Sequence, residues 1–428
     1  ENNCYVKGMK FMKFIVRSGW LPIFLFVFVS CTGKIKREAK EENNISEDQV
    51  INGVIHIDPR TVEDNTLTLG SFADDVSYIP LSDKIKIGVV RGLKISPKAI
   101  YLVSDESNGG EGNGIQQLIR FNRSGDNPVM IGKVGRGPEE YLSGSNFAVD
   151  EQNNRIYING KLNTIMVYDT TGGYLREFKL QDPDIRFSAI ELFNEAYLFV
   201  PVTSRGARSA TLWKITDTLG HVVSGKTNST PSFETRIGSN GGTWMFNGNL
   251  SYWVDYNDTI FSIKPDFTFA FNYILTPGDH RKPKEDIPVT LDLPERLLEY
   301  FSPHFFIETE NYLVCHYNFK GKFWYVFIDK RSLKTSTCSF KISKDETGGI
   351  VNDLDGGLEF SPEVSFEEGD KEFLAGFIHP FSLKSLVASD DFKGNSLPAR
   401  DKKDNLIKLA NSLDENDNPV LMIVTLKK

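Results

Sequence analysis

Cysteine and histidine are both scarce in this chain of 428 residues, which contains four Cys and six His. Cys4 and Cys31 fall in the N-terminal segment, whereas Cys315 and Cys338 fall in the predicted second and fourth strands of one repeat. Strands two positions apart in a sheet lie roughly 10 Å apart, which is too far for a disulfide bond. The cysteine pattern therefore excludes a disulfide scaffold, and no Cys-His spacing indicates a zinc site.

Motifs of known enzyme classes are also missing. The sequence contains no Ser nucleophile elbow, no HExxH zinc motif, no P-loop and no dinucleotide fingerprint. No two histidines are separated by a metal-binding spacing; they are His56, His221, His280, His304, His316 and His379. We therefore predict no cofactor, no bound metal and no catalytic residue set.

Positive charge is in deficit, because the formal net charge is −8 at pH 7. An acidic domain does not attract phosphate backbones, so nucleic acid is not an expected partner. No basic amphipathic helix for membrane-surface binding is present either. Any membrane attachment is expected to come from a lipid anchor alone.

Long apolar runs are limited to one, at residues 20–30, and a basic stretch precedes it. This run is too short to span a bilayer and has the layout of a secretory signal, which we assign to residues 1–30. Phe28-Val29-Ser30-Cys31 resembles a relaxed bacterial lipobox. We predict lipidation at Cys31, with residues 31–70 as the lipidated N-terminus and a flexible tether; the alternative is an ordinary cleaved signal with an incidental cysteine.

A recurring turn is the clearest feature that the chain does have. Phe121-Asn122-Arg123-Ser124-Gly125 separates two apolar runs. A similar turn ends at Gly172, 47 residues after Gly125, and another ends at Gly220, 48 residues after Gly172. A fixed period of this size, with several short strands in each unit, is typical of β-propeller blades. Asp and Thr side chains in such turns cap the backbone, although Asp169-Thr170-Thr171 also resembles a bacterial O-glycosylation site.

The repeats predict an all-β fold, namely a six-bladed β-propeller with four-stranded antiparallel blades over residues 71–428. Residues 276–302 interrupt the period and carry a short helical pattern, and two further helical patterns lie at residues 380–388 and 405–412. Strong strands at residues 76–81 and 419–426 flank the folded region. We predict that they complete one composite blade, because an unclosed propeller would expose a sheet edge; the alternative is two unrelated edge strands.

The second repeat begins with Gly132-Lys133-Val134-Gly135-Arg136-Gly137-Pro138-Glu139-Glu140-Tyr141, followed by strands at residues 147–150 and 155–158. This segment resembles the NHL-type propeller repeat. Together with the lipobox and the degenerate later repeats, the chain is similar to the six-bladed β-propeller lipoproteins of Bacteroidota. That resemblance implies the fold and an outer-membrane lipoprotein facing the periplasm or the cell surface, but it implies no specific function, because that family is largely uncharacterised.

Candidate ligand-binding residues are Arg136, Glu139, Glu140 and Tyr141, which bring a cation, two carboxylates and a ring onto one loop. Sugar recognition uses such a mixture. The structural alternative is that the glycines shape the loop, Tyr141 anchors it between blades and Arg136 pairs locally. His304 opens a predicted inner strand and is a further candidate for the channel.

These observations favour a lipid-anchored, non-catalytic binding module of the cell envelope, whose partner is a glycan, a peptide or an envelope protein. A lyase or hydrolase that acts on the channel face is the alternative, with Arg136, Glu139 or His304 as its candidate residues. A scaffold within an envelope complex is a third hypothesis, and it predicts a large apolar surface patch.

Overall fold

The structure is a computed structural model that describes residues 50–51, 53–63, 67–106, 114–161, 163–181, 189–235, 238–283, 293–341, 348–394 and 400–428. The predicted signal segment, Cys31 and most of the predicted tether lie outside the described residues. No helix among the described residues is long and apolar enough to cross a membrane.

Strands dominate the described chain. In chain order they are β1 (Val50–Ile51), β2 (Val54–Ile57), β3 (Ala73–Pro80), β4 (Val89–Ile95), β5 (Ala99–Asp105), β6 (Gln116–Asn122), β7 (Val129–Met130), β8 (Phe147–Asp150), β9 (Arg155–Lys161), β10 (Thr164–Tyr168), β11 (Tyr174–Lys179), β12 (Glu191–Phe193), β13 (Tyr197–Pro201), β14 (Thr211–Asp217), β15 (Val222–Thr227), β16 (Gly241–Phe246), β17 (Asn249–Val254), β18 (Asn257–Ile263), β19 (Phe269–Leu275), β20 (Ser302–Glu308), β21 (Tyr312–Phe319), β22 (Lys322–Asp329), β23 (Thr335–Phe340), β24 (Val364–Glu368), β25 (Lys371–Ile378) and β26 (Val420–Leu426). The helices are α1 (Leu69–Phe72), α2 (Leu293–Leu298), α3 (Pro380–Ala388), α4 (Asp390–Gly394) and α5 (Arg400–Ser412), with 3₁₀ turns at Pro59–Thr61, Arg205–Ala207 and Gly278–His280.

These strands form six sheets, which confirms the predicted six-bladed propeller. Blades 1 to 5 are β4–β7, β8–β11, β12–β15, β16–β19 and β20–β23, and blade 6 has the strand order β24-β25-β26-β3. Within each blade neighbouring strands are antiparallel. The first strand of each blade is the innermost, and several of these inner strands contact those of the next blade.

Blade 6 is composite, as predicted. Strand β3 from the N-terminal part pairs with the C-terminal strand β26, with Pro80 opposite Val420 and Val76 opposite Val424. The ring is therefore closed by hydrogen bonds between the two ends of the folded region, which removes two of the edges that an open ring would expose.

The recurring glycine turn has a physical reason. Gly172 has a φ of +91°, and a Cβ atom there would lie 2.4 Å from the Met130 carbonyl oxygen of blade 1. The Gly172 carbonyl in turn accepts a 3.2 Å hydrogen bond from the Gly132 N–H. The carbonyls of Gly125 and Gly220 accept equivalent bonds from Ser82 and Gln181, so each turn ties its blade to the preceding one. Asp169 Oδ1 caps the turn by accepting from the N–H groups of Thr171 and Gly173, as turn chemistry predicts.

The N-terminal segment extends further into the fold than the sequence predicted. The tether was expected to reach residue 70, but β2 adds in parallel to β19, with Ile55 opposite Tyr273 and Ile57 opposite Leu275. Leu67 then donates its N–H to the Thr337 carbonyl of β23 at 3.0 Å. Strand β2 and Leu67 thus form a strap over the outer edges of blades 4 and 5, because Ile57 and Leu67 are buried in apolar clusters with side chains of those blades.

The predicted helices are present. Helix α3 spans the predicted residues 380–388, α5 begins at residue 400 rather than 405, and α2 lies in the insertion between blades 4 and 5. Helices α3, α4 and α5 all connect β25 to β26 and pack with blades 5 and 6 in one apolar cluster. Cys315 and Cys338 lie in β21 and β23, the predicted second and fourth strands, and both are free thiols.

Candidate functional site

Tyr141, a predicted ligand contact, is an internal anchor. Its side chain is fully buried, and its hydroxyl donates to the Ile131 carbonyl at 2.7 Å. The same oxygen accepts from Gln117 Nε2 at 2.7 Å and from the Leu118 N–H at 3.2 Å. Tyr141 also contacts the Tyr168 ring edge-on, with centroids 5.8 Å apart. These contacts join blades 1 and 2 and leave no part of Tyr141 for a ligand.

Glu140, the second predicted residue, stabilises its own loop. Its carboxylate accepts from the Gly137 N–H at 2.9 Å and lies 3.2 Å from Lys133 Nζ. The hydrogen bond from Gly137, followed by that from Lys133, holds the pKa of Glu140 below its usual range. The loop passes close to blade 2, because a Cβ at Gly132 would lie 2.5 Å from the Tyr168 ring.

Arg136 and Glu139 remain as the exposed side chains of the predicted set. The Glu139 main-chain carbonyl accepts a 2.8 Å hydrogen bond from the Tyr168 hydroxyl, which fixes the backbone of the loop. The Glu139 side chain takes no part in this bond and is exposed. The structure therefore divides the four predicted loop residues into two that hold the loop in place and two that face solvent.

His304 lies in the inner strand β20, as predicted, and stacks against aromatic side chains of its own blade. Its ring centroid is 5.1 Å from that of His316 and 5.5 Å from that of Phe323. Desolvation lowers the pKa of His304, and it lowers the pKa of His316 to about 4, so this pair is neutral at pH 7. The histidine pair belongs to an aromatic stack that also contains Tyr325 and Phe340.

A cavity that the sequence did not indicate lies at the centre of the ring, where the first and second strands of the blades are joined by hairpins. Its volume is about 270 Å³. Blades 1, 4, 5 and 6 all contribute side chains, of which half are apolar and three are carboxylates. The lining residues are Ile95, Pro97, Met245, Glu308, Ser365, Phe366, Glu367 and Glu372.

Glu308 is the most enclosed charged group of this cavity, with 8% of its side chain exposed. One carboxylate oxygen accepts from the Tyr273 hydroxyl at 2.7 Å and from Lys330 Nζ at 3.0 Å. The other accepts from Trp244 Nε1 at 3.0 Å. Lys330 Nζ also lies 4.0 Å from the centroid of the Phe246 ring. Glu308 therefore joins blades 4 and 5 through three hydrogen bonds, one of which is also an ion pair.

Glu367 and Glu372 line the cavity from the hairpin of blade 6, where they pair across β24 and β25. Glu367 is exposed, and Glu372 accepts a 2.7 Å hydrogen bond from the Glu310 N–H. Desolvation raises the pKa of Glu372, an effect that the hydrogen bond from Glu310 opposes and the neighbouring carboxylates of Glu367 and Glu310 reinforce. Within the described residues, neither carboxylate forms an ion pair like that between Glu308 and Lys330, although the charge of Lys330 opposes the rise in the pKa of Glu372.

A second polar bridge crosses the ring near its axis. Lys94 Nζ of blade 1 lies 2.5 Å from Glu191 Oε2 of blade 3, and Thr243 Oγ1 of blade 4 donates to the other Glu191 oxygen at 3.1 Å. Lys94 Nζ also lies 5.3 Å from the centroid of the Phe147 ring of blade 2. Four inner strands are thereby connected through side chains.

This geometry can bind a cation that carries an apolar stem. Carboxylates supply the charge, and Ile95, Met245 and Phe366 supply an apolar wall. No group of three or more His, Cys, Asp or Glu side chains suited to a metal ion occurs within the described ranges. The sequence signal that could have indicated the cavity is the charged residue at the end of an apolar inner strand, as at Glu308.

Comparison with protein families matches residues 52–425 to the family described as "Domain of unknown function (DUF4934)". The chain belongs to the DUF4934 family. Comparison with curated proteins found no match.

Among solved structures, this DUF4934 chain is similar to a protein of Bacteroides fragilis described as exported, with a TM-score of 0.58 and 20% identity over 88% of this chain and 100% of that one. It also matches a member of the DUF4221 family from Bacteroides vulgatus, with a TM-score of 0.44 and 10% identity over 83% and 97% of the two chains. A third match is virginiamycin B lyase from Staphylococcus aureus, with a TM-score of 0.37 and 11% identity over 82% and 99%. At 20% identity the similarity to the Bacteroides fragilis protein bears on the fold alone.

Proposed function

We propose that this chain is a non-catalytic binding module whose central cavity holds a basic side chain of a peptide or an envelope protein. The observation that supports this proposal is the cavity itself, which combines an apolar wall with three carboxylates from two blades. Glu308 is already paired with Lys330, so Glu367 and Glu372 are the carboxylates that a ligand cation would approach. An ammonium or guanidinium group on an aliphatic stem matches both features.

The cellular setting is part of the same proposal. A secretory signal over residues 1–30, lipidation at Cys31 and a tether would place the propeller at the outer membrane, facing the periplasm or the cell surface. The apolar run before Cys31 supports this, as does the description of the Bacteroides fragilis relative as exported. In this setting the lipid alone would attach the protein to the membrane, and nucleic acid would not be a partner.

The test is calorimetric titration of the full chain with acetyl-Ala-Lys-Ala-amide and with the norleucine analogue, which keeps the stem but lacks the charge. We expect the lysine peptide to bind about tenfold more tightly, with an affinity that falls as salt is added. Glu367→Gln should weaken binding about three- to fivefold, as expected for a partly exposed ion pair.

Glu368→Gln is the matched control, because Glu368 is adjacent in sequence but pairs with Arg123 at 3.1 Å and does not line the cavity. This variant should bind the lysine peptide as the unmodified chain does. Equal binding of the two peptides, or equal effects of the two glutamine variants, would overturn the proposal.

A lyase or hydrolase at the same cavity is the second candidate, favoured by the raised pKa of Glu372, since a carboxyl group that keeps its proton longer can act as a general acid. Metal analysis of the purified chain, followed by turnover assays on envelope glycans and peptides, would separate the two proposals. A stoichiometric divalent ion together with turnover that Glu372→Gln abolishes would favour the enzyme. Lysine-peptide binding without turnover would favour the binding module.

A further inference from the structure

The outer strand of blade 6 has a free edge. Strand β3 pairs with β26 on one side and, among the residues that the structure describes, has no neighbouring strand on the other. The corresponding edges of blades 4 and 5 are covered by the chain itself, since β2 adds to β19 and Leu67 bonds to Thr337 of β23. The propeller therefore already uses its outer edges to accept an added segment.

The hydrogen-bond phase of β3 shows which groups face this edge. The Leu81 N–H donates to the Pro419 carbonyl, so odd-numbered residues of β3 bond to β26. Pro80, which has no N–H, lies at an even-numbered position opposite Val420, in agreement with this phase. The N–H and C=O groups of Val76 and Tyr78 must then point outward, and no described residue forms a main-chain hydrogen bond with them.

A groove separates this edge from helix α5. Its volume is about 380 Å³, and Leu406 and Leu409 form the apolar part of the helical wall. Lys402 Nζ pairs with Asp75 Oδ1 at 2.9 Å and closes one end of the groove. A free strand edge that faces a helix across a groove is the geometry into which an extended peptide can insert as an added strand.

Charge within the groove favours a basic peptide. Asp75 and Asp355 both line it, whereas Lys402 is its one lining cation among the described residues. Asp355 is held in place by a 2.8 Å hydrogen bond from the Tyr78 hydroxyl and by the side chain of Asn352. One carboxylate thus remains in excess, beside the outward-facing main chain of Val76 and Tyr78.

We propose that the groove between β3 and α5 is a second binding site, which takes an extended peptide of a partner protein as an additional strand of blade 6. The peptide would exchange main-chain hydrogen bonds with Val76 and Tyr78. Its apolar side chains would pack on Leu406 and Leu409, and a basic side chain would approach Asp75 and Asp355. This site is separate from the central cavity and does not depend on the function proposed for it.

The test uses peptides selected from a displayed random heptapeptide library on the full chain, measured by fluorescence polarisation. Asn405→Trp places a large side chain in the groove from an exposed position on α5 and should weaken binding at least about tenfold. Lys408→Trp, on the same helix but outside the groove, should bind within about twofold of the unmodified chain. Both variants should keep the thermal unfolding midpoint of the unmodified chain.

Two measurements separate strand addition from simple burial of side chains. N-methylation at alternate peptide positions should abolish binding in one phase and be tolerated in the other, because only alternate N–H groups face the partner strand. Amide exchange at Val76 and Tyr78 should slow at least about tenfold when peptide is bound. Peptides that bind Asn405→Trp as well as the unmodified chain, a library that yields no binder, or equal tolerance of both N-methyl patterns would overturn the proposal.

Discussion

The loop between blades 1 and 2 and the central cavity both contain carboxylates, yet they use them differently. Glu140 of the loop bonds to Gly137, three residues away, and to Lys133, seven residues away. Glu308 of the cavity bonds to Trp244 and Tyr273 of the preceding blade, 64 and 35 residues away. The loop carboxylate fixes local backbone, whereas the cavity carboxylate joins separate repeats.

This difference explains why a recognisable motif and a candidate site do not coincide here. A motif is visible in one sequence when its residues act on one another locally, as Lys133, Gly137 and Glu140 do. A site at the axis of a propeller collects one or two side chains from each of several blades, so no local pattern contains it. The motif consequently identifies how blades are joined, and it leaves the ligand site unmarked.

The largest expected effect that separates the two regions is on stability. Tyr141→Ala removes a fully buried ring, takes away the hydroxyl that accepts from the Leu118 N–H, and removes one of the three acceptors of Gln117 Nε2. We expect it to lower the free energy of unfolding by about 3–5 kcal/mol, measured by urea denaturation. Tyr141→Phe, which keeps the ring, should cost about 1–3 kcal/mol. The folded fraction of both variants should bind the lysine peptide normally; a loss of binding would give the loop a ligand role.

A smaller loss of stability is expected when a side chain of the cavity is removed. Glu308→Ala leaves the ammonium of Lys330, the Trp244 N–H and the Tyr273 hydroxyl without their shared partner. Because the Lys330 side chain is 20% exposed and can be partly hydrated, we expect a cost of about 2–3 kcal/mol in urea denaturation. Trp244 fluorescence should change in the native state as its hydrogen bond is lost. Glu140→Ala is the comparison. If it lowered the free energy of unfolding as much as Glu308→Ala does, the loop and cavity carboxylates would not differ as described.

The ring could be predicted because its elements repeat a local rule. Each Gly turn needs a positive φ and a close approach to the preceding blade, and that requirement recurs at Gly125, Gly172 and Gly220. Closure followed from the need to cover the terminal edges of the ring. The strap could not be predicted in the same way, since β2 pairs in parallel with β19, whose partner residues lie more than 200 positions later in the chain.

The candidate site was beyond sequence reasoning for a related reason. Lys94, Glu191 and Thr243 each read as isolated polar residues in or beside short inner strands. Only the closed ring brings them to one bridge across the axis. His304 shows the opposite case: its inner strand was predicted, but sequence could not reveal that its ring stacks on His316 and Phe323.

The smallest expected effect concerns how stability depends on pH: the contributions of Glu140 and Glu372 should change in opposite directions. The pKa of Glu140 is lowered from 4.5, so its stabilising contribution is present above pH 4.5 and is lost as pH falls through the lowered value. The pKa of Glu372 is raised from 4.5, so the native state holds its proton more tightly than the unfolded chain does. Its contribution is therefore fully present below pH 4.5 and is lost as pH rises through the raised value.

Thermal unfolding of Glu140→Gln and Glu372→Gln between about pH 3 and pH 7 tests this contrast. As pH rises, Glu372→Gln should become more stable relative to the unmodified chain, and Glu140→Gln should become less stable relative to it. Binding of the lysine peptide should strengthen over the range in which Glu372 loses its proton, and that increase should be reduced in Glu372→Gln but kept in Glu140→Gln. Shifts of the same sign in both variants would mean that the two carboxylates do not occupy the opposed environments described for the loop and the cavity.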